Sequence, residues 1–221
     1  MARREHVERT PVRHLAFPEP VLLEWEARHP ARADHPTWPT FLSSETVAVV
    51  GGRGAPCPSC GRVTERLLRL DLELVLPAAT EHRPVDFVWC MTCSTYTREA
   101  SFAEVDADGS ARMLPLDFLV EPVAADEEWD PYPATPVGLV DLGPRWRRQD
   151  WGEASWVENL HRVGGEPTWV QGEAVPLCCR CGTATIFVAQ VAVADLWDAE
   201  GMAYLFWCPT CSVAAVVYQQ T

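Results

Sequence analysis

The chain has 221 residues, is 48% hydrophobic and carries a formal net charge of −13. This hydrophobic content excludes a disordered chain, and no apolar run reaches the roughly 18 residues that a membrane-spanning helix needs. No apolar stretch of the secretory type follows the basic start of the chain, so we expect a protein of the cytoplasm. In that reducing compartment, the nine Cys predict metal ligands rather than disulfides.

All 18 basic residues are Arg, so the chain has no Lys for a Schiff base or a P-loop. The acidic charge repels phosphate backbones, and a zinc ion held by four thiolates adds about −2 at each site. The composition therefore favours a protein partner, basic in character, over nucleic acid.

The first elements along the chain are one helix and three strands. Residues 19–29 predict a short N-terminal helix with Pro near its start. Residues 46–50 form a β-branched run that ends at Gly51-Gly52, which indicates a strand followed by a turn. In residues 68–76, Leu alternates with charged residues, as in a strand with one wet face. Residues 85–89 predict a further strand.

A Pro-rich acidic segment, residues 115–142, separates two halves of the chain. It holds seven acidic residues, no basic residue and five Pro, which predicts a linker or long surface loop. We expect an N-terminal half at 1–114 and a C-terminal half at 143–221. Apolar runs in the C-terminal half predict strands that are covered on both sides. These runs are residues 186–194, 202–207 and 213–219.

Four Cys-x-x-Cys pairs divide into two matched sets. The first pair of one set lies 121 positions from its counterpart, and the second pair lies 118 positions from its own. Two such pairs complete a closed Cys₄ zinc site of the zinc-ribbon type, with no open position for catalysis. We predict two structural zinc ions, one in each half, while pairing across the halves stays an alternative. The predicted ligands are Cys57, Cys60, Cys90 and Cys93, and Cys178, Cys181, Cys208 and Cys211.

The ninth cysteine, Cys179, stands next to a predicted ligand but breaks the two-residue spacing. We interpret it as a thiol outside the metal site. Trp-rich sequence precedes the third Cys pair and could line a groove for a peptide, although the sequence favours Trp residues in the core and a plain turn at the two glycines. The candidate partner-binding residues are Trp156, His161, Gly164, Gly165, Pro167, Trp169 and Gln171.

The second half resembles a known family. The string Gly-Gly-Glu-Pro-Thr-Trp-Val-Gln at 164–171, the following Cys pair, a strand bearing Gln190 and the final Tyr-Leu-Phe-Trp-Cys strand are similar to the YwqG-like family of unknown function. They also resemble the C-terminal region of the programmed cell death protein 2 family. The resemblance implies a β-rich fold with an internal duplication and a non-enzymatic role. The eukaryotic relatives in this resemblance are chaperones for a ribosomal protein, which is a basic client.

Together these observations predict a mainly β (α+β) protein made of two unequal pseudo-repeats, each with zinc-ribbon-like Cys₄ knuckles. The expected function is a non-catalytic, zinc-stabilised scaffold that binds a protein, as a client chaperone or a toxin-immunity type of partner. One alternative is an enzyme that acts on a small ligand in a Trp-rich cleft near Gly164-Gly165. Another, which the charge disfavours, is a zinc-ribbon nucleic-acid binder.

Overall fold

A computed structural model describes seven stretches of the chain: residues 13–16, 47–76, 84–94, 100–116, 130–141, 161–193 and 200–220. The predicted helix at 19–29 and the candidate residue Trp156 lie outside these stretches. In the described part of the chain, no helix is long and apolar enough to cross a membrane.

The described residues form twelve strands, a single-turn helix α1 (Met91–Ser94) and a 3₁₀ turn (Leu72–Leu74). The fold is therefore mainly β, as predicted. The strands are β1 (Arg13–Ala16), β2 (Ala48–Val50), β3 (Arg53–Pro56), β4 (Val63–Asp71), β5 (Pro84–Trp89), β6 (Ser101–Val105), β7 (Ala111–Met113), β8 (Thr135–Asp141), β9 (Arg162–Val163), β10 (Ile186–Ala192), β11 (Met202–Cys208) and β12 (Val213–Gln219).

All strand pairs are antiparallel, in the order β3-β4-β2-β8-β1-β9-β10-β11-β12-β6-β7, with β5 added on β4. β8 lies within the predicted linker and pairs first with β2 and then with β1. Strands β6 and β7 come from the predicted first half but extend the sheet beside β12. Pairing thus crosses the predicted boundary, while the division into domains stays a prediction.

The same structural unit occurs twice. Arg69 pairs with Asp86 in the β4–β5 ladder, and Gln190 pairs with Tyr204 in the β10–β11 ladder. These positions differ by 121 and 118, the same shifts that relate the Cys pairs. A Gly-Gly turn with positive φ follows β2 in the first copy, at Gly51 and Gly52, and follows β9 in the second copy, at 164–165.

The second copy is longer between its Gly-Gly turn and its first Cys pair. Four residues, 53–56, fill this interval in the first copy, whereas twelve residues, 166–177, fill it in the second. Residues 166–172 of the longer interval cross the β10–β12 sheet, and we call them the strap. The strap holds most of the Gly-Gly-Glu-Pro-Thr-Trp string that marks the second half of the sequence.

The central strand β11 is buried along its whole length, as the absence of a wet face predicts. Ala203, Leu205 and Trp207 belong to the main core, whereas Tyr204 and Phe206 point to the opposite face and pack against the strap. Successive side chains of a strand point to opposite sides, so this one strand contributes to both layers.

The prediction of one strand across residues 68–76 is only partly correct. Leu68 and Leu70 are fully buried, and Arg69 between them is half-buried, as expected for β4. The strand ends at Asp71, because its carboxylate accepts the Glu73 amide at 3.1 Å and caps a 3₁₀ turn. The Leu alternation therefore continues past the end of the strand.

Candidate metal centres

Each half presents its first Cys pair on the same type of turn. The Gly61 amide donates to the Cys57 carbonyl at 2.8 Å, and the Gly182 amide donates to the Cys178 carbonyl at 2.8 Å. Both glycines have positive φ, 75° and 69°, and a Cβ at either would meet no atom within 4 Å. The turn therefore requires glycine for its backbone conformation and not for space.

A threonine closes the base of each knuckle. The Thr64 hydroxyl donates to the Ala55 carbonyl at 2.6 Å, and the Thr185 hydroxyl donates to the Pro176 carbonyl at 2.8 Å. Both bonds join the segment that leaves the knuckle to the segment that enters it. Because 121 positions separate each residue from its counterpart, the whole knuckle is repeated and not only its cysteines.

The eight paired cysteines form two groups of four, and the sulfur atoms within each group all lie within 4.8 Å of one another. Individual sulfur–sulfur distances are 3.9 Å for Cys57–Cys93 and 3.5 Å for Cys60–Cys90. A tetrahedral zinc ion with bonds of 2.3 Å separates its sulfur ligands by about 3.8 Å. Both groups therefore have the composition and size to hold a metal ion, and each draws its members from one half. They are Cys57, Cys60, Cys90 and Cys93, and Cys178, Cys181, Cys208 and Cys211.

The thiols of each group influence one another's protonation. A hydrogen bond between the two side chains lowers the pKa of Cys57 to about 5 and raises the pKa of Cys90. In the second group, a hydrogen bond with the Thr183 hydroxyl lowers the pKa of Cys181 to about 6. A hydrogen bond between the side chains of Cys181 and Cys211 raises the pKa of Cys211 to about 12. Four thiolates so close together repel, so a divalent cation is what allows all four to ionise.

The two groups differ in their exposure to solvent. In the first group, Cys57, Cys90 and Cys93 are each 1% exposed and belong to the main core. In the second, Cys181 is exposed and Cys211 is half-buried. Cys179 is also exposed and lies outside the group of four, and partial desolvation raises the pKa of its thiol.

The candidate partner-binding residues within the described stretches, which exclude Trp156, lie in and beside the strap. They range from buried to exposed: His161 and Gly164 are buried, Gly165, Pro167 and Trp169 are half-buried, and Gln171 is exposed. Trp169 packs on the sheet, with ring centroids 4.6 Å from Tyr204 and 6.0 Å from Phe206. Within the strap, Gln171 therefore offers the most accessible side chain of this set, and its role in binding stays a prediction.

Two polar side chains of the sheet hold the middle of the strap. Gln190 accepts the Thr168 amide at 2.9 Å through its side-chain oxygen. The Tyr204 hydroxyl accepts the Val170 amide at 2.9 Å and donates to the Thr168 carbonyl at 2.5 Å. Gln190 and Tyr204 are both fully buried, so these bonds satisfy backbone groups of the buried Thr168 and the half-buried Val170.

The end of the strap is held by β12. Gln219 accepts the Gln171 amide at 3.0 Å and donates to the Gly172 carbonyl at 2.8 Å. The anchoring residues Gln219 and Tyr204 were not singled out from the sequence. Each is a polar side chain within an otherwise apolar strand. Hydrophobic periodicity alone does not tell whether such a side chain is buried and bonded or exposed to solvent.

A buried arginine lies below the start of the strap. The guanidinium of Arg162 donates to the Glu166 carbonyl and, at 3.3 Å, to the side-chain oxygen of Gln190. Burial lowers the pKa of Arg162 to about 10, so the side chain is still charged at neutral pH. This residue, too, was not identified from the sequence, and it ties β9, the strap and β10 together.

The first copy covers the equivalent face differently. An Arg69–Asp86 ion pair of 2.9 Å occupies the positions of Gln190 and Tyr204. The Arg69 guanidinium also donates to the Asp108 carbonyl at 3.2 Å, in the turn between β6 and β7. That turn lies where the second copy has its strap.

Fold and sites together define a mainly β protein with two Cys₄ groups able to hold metal ions. No protein-family model and no solved structure matches the chain. The chain is similar to the uncharacterized protein YpfL of Salmonella typhimurium, with 30% identity over 177 residues, covering 76% of this chain and 40% of the relative. It thus spans less than half of that relative's length. The resemblance to the YwqG-like and programmed cell death protein 2 families stays a prediction.

Proposed function

We propose that this chain is a zinc-stabilised, non-catalytic scaffold of the cytoplasm that binds a protein partner. The observation that carries the proposal is the pair of closed Cys₄ groups. Their sulfur–sulfur distances are 3.9 Å for Cys57–Cys93, 3.5 Å for Cys60–Cys90 and 3.7 Å for Cys181–Cys208. A closed set of four thiolates suits structural zinc, because a catalytic ion needs an open coordination position.

The role of zinc in this proposal is to stabilise the fold. Cys57 and Cys60 lie on the turn between β3 and β4, whereas Cys90 and Cys93 lie at the end of β5 and in α1. One ion would join the β3–β4 turn to the end of β5 and α1. A second ion would join the turn before β10, which carries Cys178 and Cys181 and which we call the β10 knuckle, to the β11–β12 turn. Binding free energy at such sites adds directly to folding free energy.

The partner in this proposal is a basic protein, as for a client chaperone or a toxin-immunity partner. The net charge of −13 supports it, because an acidic surface attracts cationic proteins and repels nucleic acid. We place the contact at the outer side of the end of the strap and at the residue that follows it, where Gln171 and Glu173 are exposed. The anchored backbone of the strap would present these side chains without a large cost in ordering.

The metal component is tested by elemental analysis of the purified full chain. We expect two zinc ions per chain and their loss on treatment with a strong chelator together with cooperative unfolding. A content of one or none would contradict the proposal.

The partner component is tested by affinity capture on the immobilised full chain, followed by elution with salt. We expect a stoichiometric basic protein that elutes as the ionic strength rises. Glu173→Gln should weaken retention, whereas Glu73→Gln, which removes the same charge from an exposed site in the first copy, should not. Equal effects would contradict the end of the strap and Glu173 as the contact surface. Turnover of a metabolite with no captured partner would contradict the non-catalytic function.

A further inference from the structure

The two Cys₄ groups are built on the same turn, but different surroundings cover them. In the first knuckle, Ser59 lies between the two cysteines and its hydroxyl accepts the Leu116 amide at 3.0 Å. Leu116 packs against the main core, so the segment after β7 crosses this knuckle. Three residues of this group, Cys57, Cys90 and Cys93, are each only 1% exposed.

The second knuckle lacks such a cover in the described part of the chain. Pro58 and its equivalent Cys179 are both exposed, whereas Ser59 is half-buried and its equivalent Arg180 is exposed. Arg180 pairs with Glu104 of β6, but their side chains keep 55% and 42% of their accessible surface. Cys181, the next residue, is exposed as well.

The exposed thiol of Cys181 has a reaction partner at hand. Its sulfur lies 3.7 Å from the sulfur of Cys208, and all four sulfur atoms of the group lie within 4.8 Å. A short approach of this kind allows two sulfur atoms to join at the ordinary disulfide length of about 2.05 Å after a small movement. Reaction with an oxidant requires access as well as thiolate character, and only exposure separates the two groups clearly.

We propose that Cys181 is an oxidation site, through which a peroxide opens the second Cys₄ group while the first stays closed. This inference rests on the proposed zinc occupancy. The Cys181 thiolate attacks the peroxide O–O bond, forms a sulfenic acid and releases hydroxide. A neighbouring thiolate of the group, with Cys208 at 3.7 Å, then attacks that sulfur, forms the disulfide and expels a second hydroxide. Two thiolates lose two electrons, and hydrogen peroxide with two protons becomes two waters.

The oxidised second group keeps two of its four thiolates. Because two thiolates no longer hold the zinc ion tightly, the structure around this group loosens. The affected residues are the β10 knuckle and the β11–β12 turn, since these are the segments that the second group joins. The main core and the first group lie outside this change. A thiol reductant followed by zinc reverses it, which makes the second group a redox-responsive element.

The experiment treats the full chain, loaded with two zinc ions, with excess hydrogen peroxide in the presence of a chromogenic zinc chelator. We expect one equivalent of zinc to appear first and the second to appear about tenfold more slowly or not at all. Peptide mapping should show a disulfide that contains Cys181 and a second member of its group. Hydrogen exchange should rise in residues 176–186 and 209–212 and stay unchanged in β4 and β5.

Cys179→Ser is the matched control, because it removes an exposed thiol from the same turn and leaves the group of four intact. We expect release of the first equivalent to be unchanged in this variant. Loss of that release would assign the oxidation to Cys179 and overturn the inference. Equal release rates from both groups, or a disulfide in the first group, would also overturn it. A chain that holds no zinc before peroxide is added would instead refute the proposed function.

Discussion

The two copies of the repeated unit share their turns and strand registers but differ in what surrounds them. The first copy buries its Cys₄ group in the main core and covers its Arg69–Asp86 pair with the β6–β7 turn. The second copy leaves Cys181 exposed and covers Gln190 and Tyr204 with the strap. A duplicated unit can thus keep one copy for stability while the other carries additions at its surface.

The strongest test of this comparison replaces equivalent ligands, Cys57→Ser and Cys178→Ser. Each variant should lose one of two zinc ions, as measured by elemental analysis. Cys57→Ser should lower the free energy of unfolding by about 4 kcal/mol or more, and Cys178→Ser by about half as much, because only the first group is part of the main core. A variant that keeps two zinc ions would contradict the grouping, and equal losses of stability would contradict the comparison.

Burial of the second copy could be anticipated from its sequence, whereas the arrangement of strands could not. β12 was predicted within its observed bounds, since an unbroken apolar run indicates a strand covered on both sides. That β6 would become its neighbour was not predictable, because local periodicity carries no information on which distant strand supplies the next hydrogen bonds. Cys spacing defined both groups of four correctly, since a knuckle is a local structure and its shifts of 121 and 118 are visible in the chain.

The next prediction concerns the turn that covers the first copy. Gly109 has a φ of 85°, and a Cβ there would lie 1.8 Å from the Pro84 carbonyl oxygen. Gly109→Ala should therefore lower the free energy of unfolding by about 3 kcal/mol, measured by denaturant titration. Gly61→Ala is the control, since its φ is 75° but nothing lies near its Cβ, and it should cost about 1 kcal/mol. Equal losses of unfolding free energy in the two variants would show that the β6–β7 turn can shift at little cost and does not hold the face of the sheet that carries Arg69 and Asp86.

A smaller effect is expected where the strap is held in the second copy. Tyr204→Phe removes the hydroxyl that pairs with Val170 and Thr168, leaving one half-buried and one buried backbone group without that partner. The free energy of unfolding should fall by about 2 kcal/mol, and hydrogen exchange at the Val170 amide should become faster. Tyr218→Phe is the control: its hydroxyl bonds the Glu200 carbonyl at an exposed position, so water can replace it. An unchanged Val170 amide would mean that Tyr204 does not position the strap.

The smallest expected effect tests what covers each knuckle. Ser59→Ala removes the acceptor of the Leu116 amide and should cost about 1 kcal/mol, because that half-buried backbone group loses its partner. The same variant should raise the rate at which peroxide releases zinc from the first group by a few-fold, since the covering segment loosens. Glu104→Gln instead breaks the exposed pair with Arg180 on the second knuckle and should cost under about 0.5 kcal/mol. It should leave both release rates unchanged, because a salt bridge between side chains that are 42% and 55% exposed does not shield Cys181. If Ser59→Ala left the first group as resistant as before, depth in the core alone would account for the difference between the two copies.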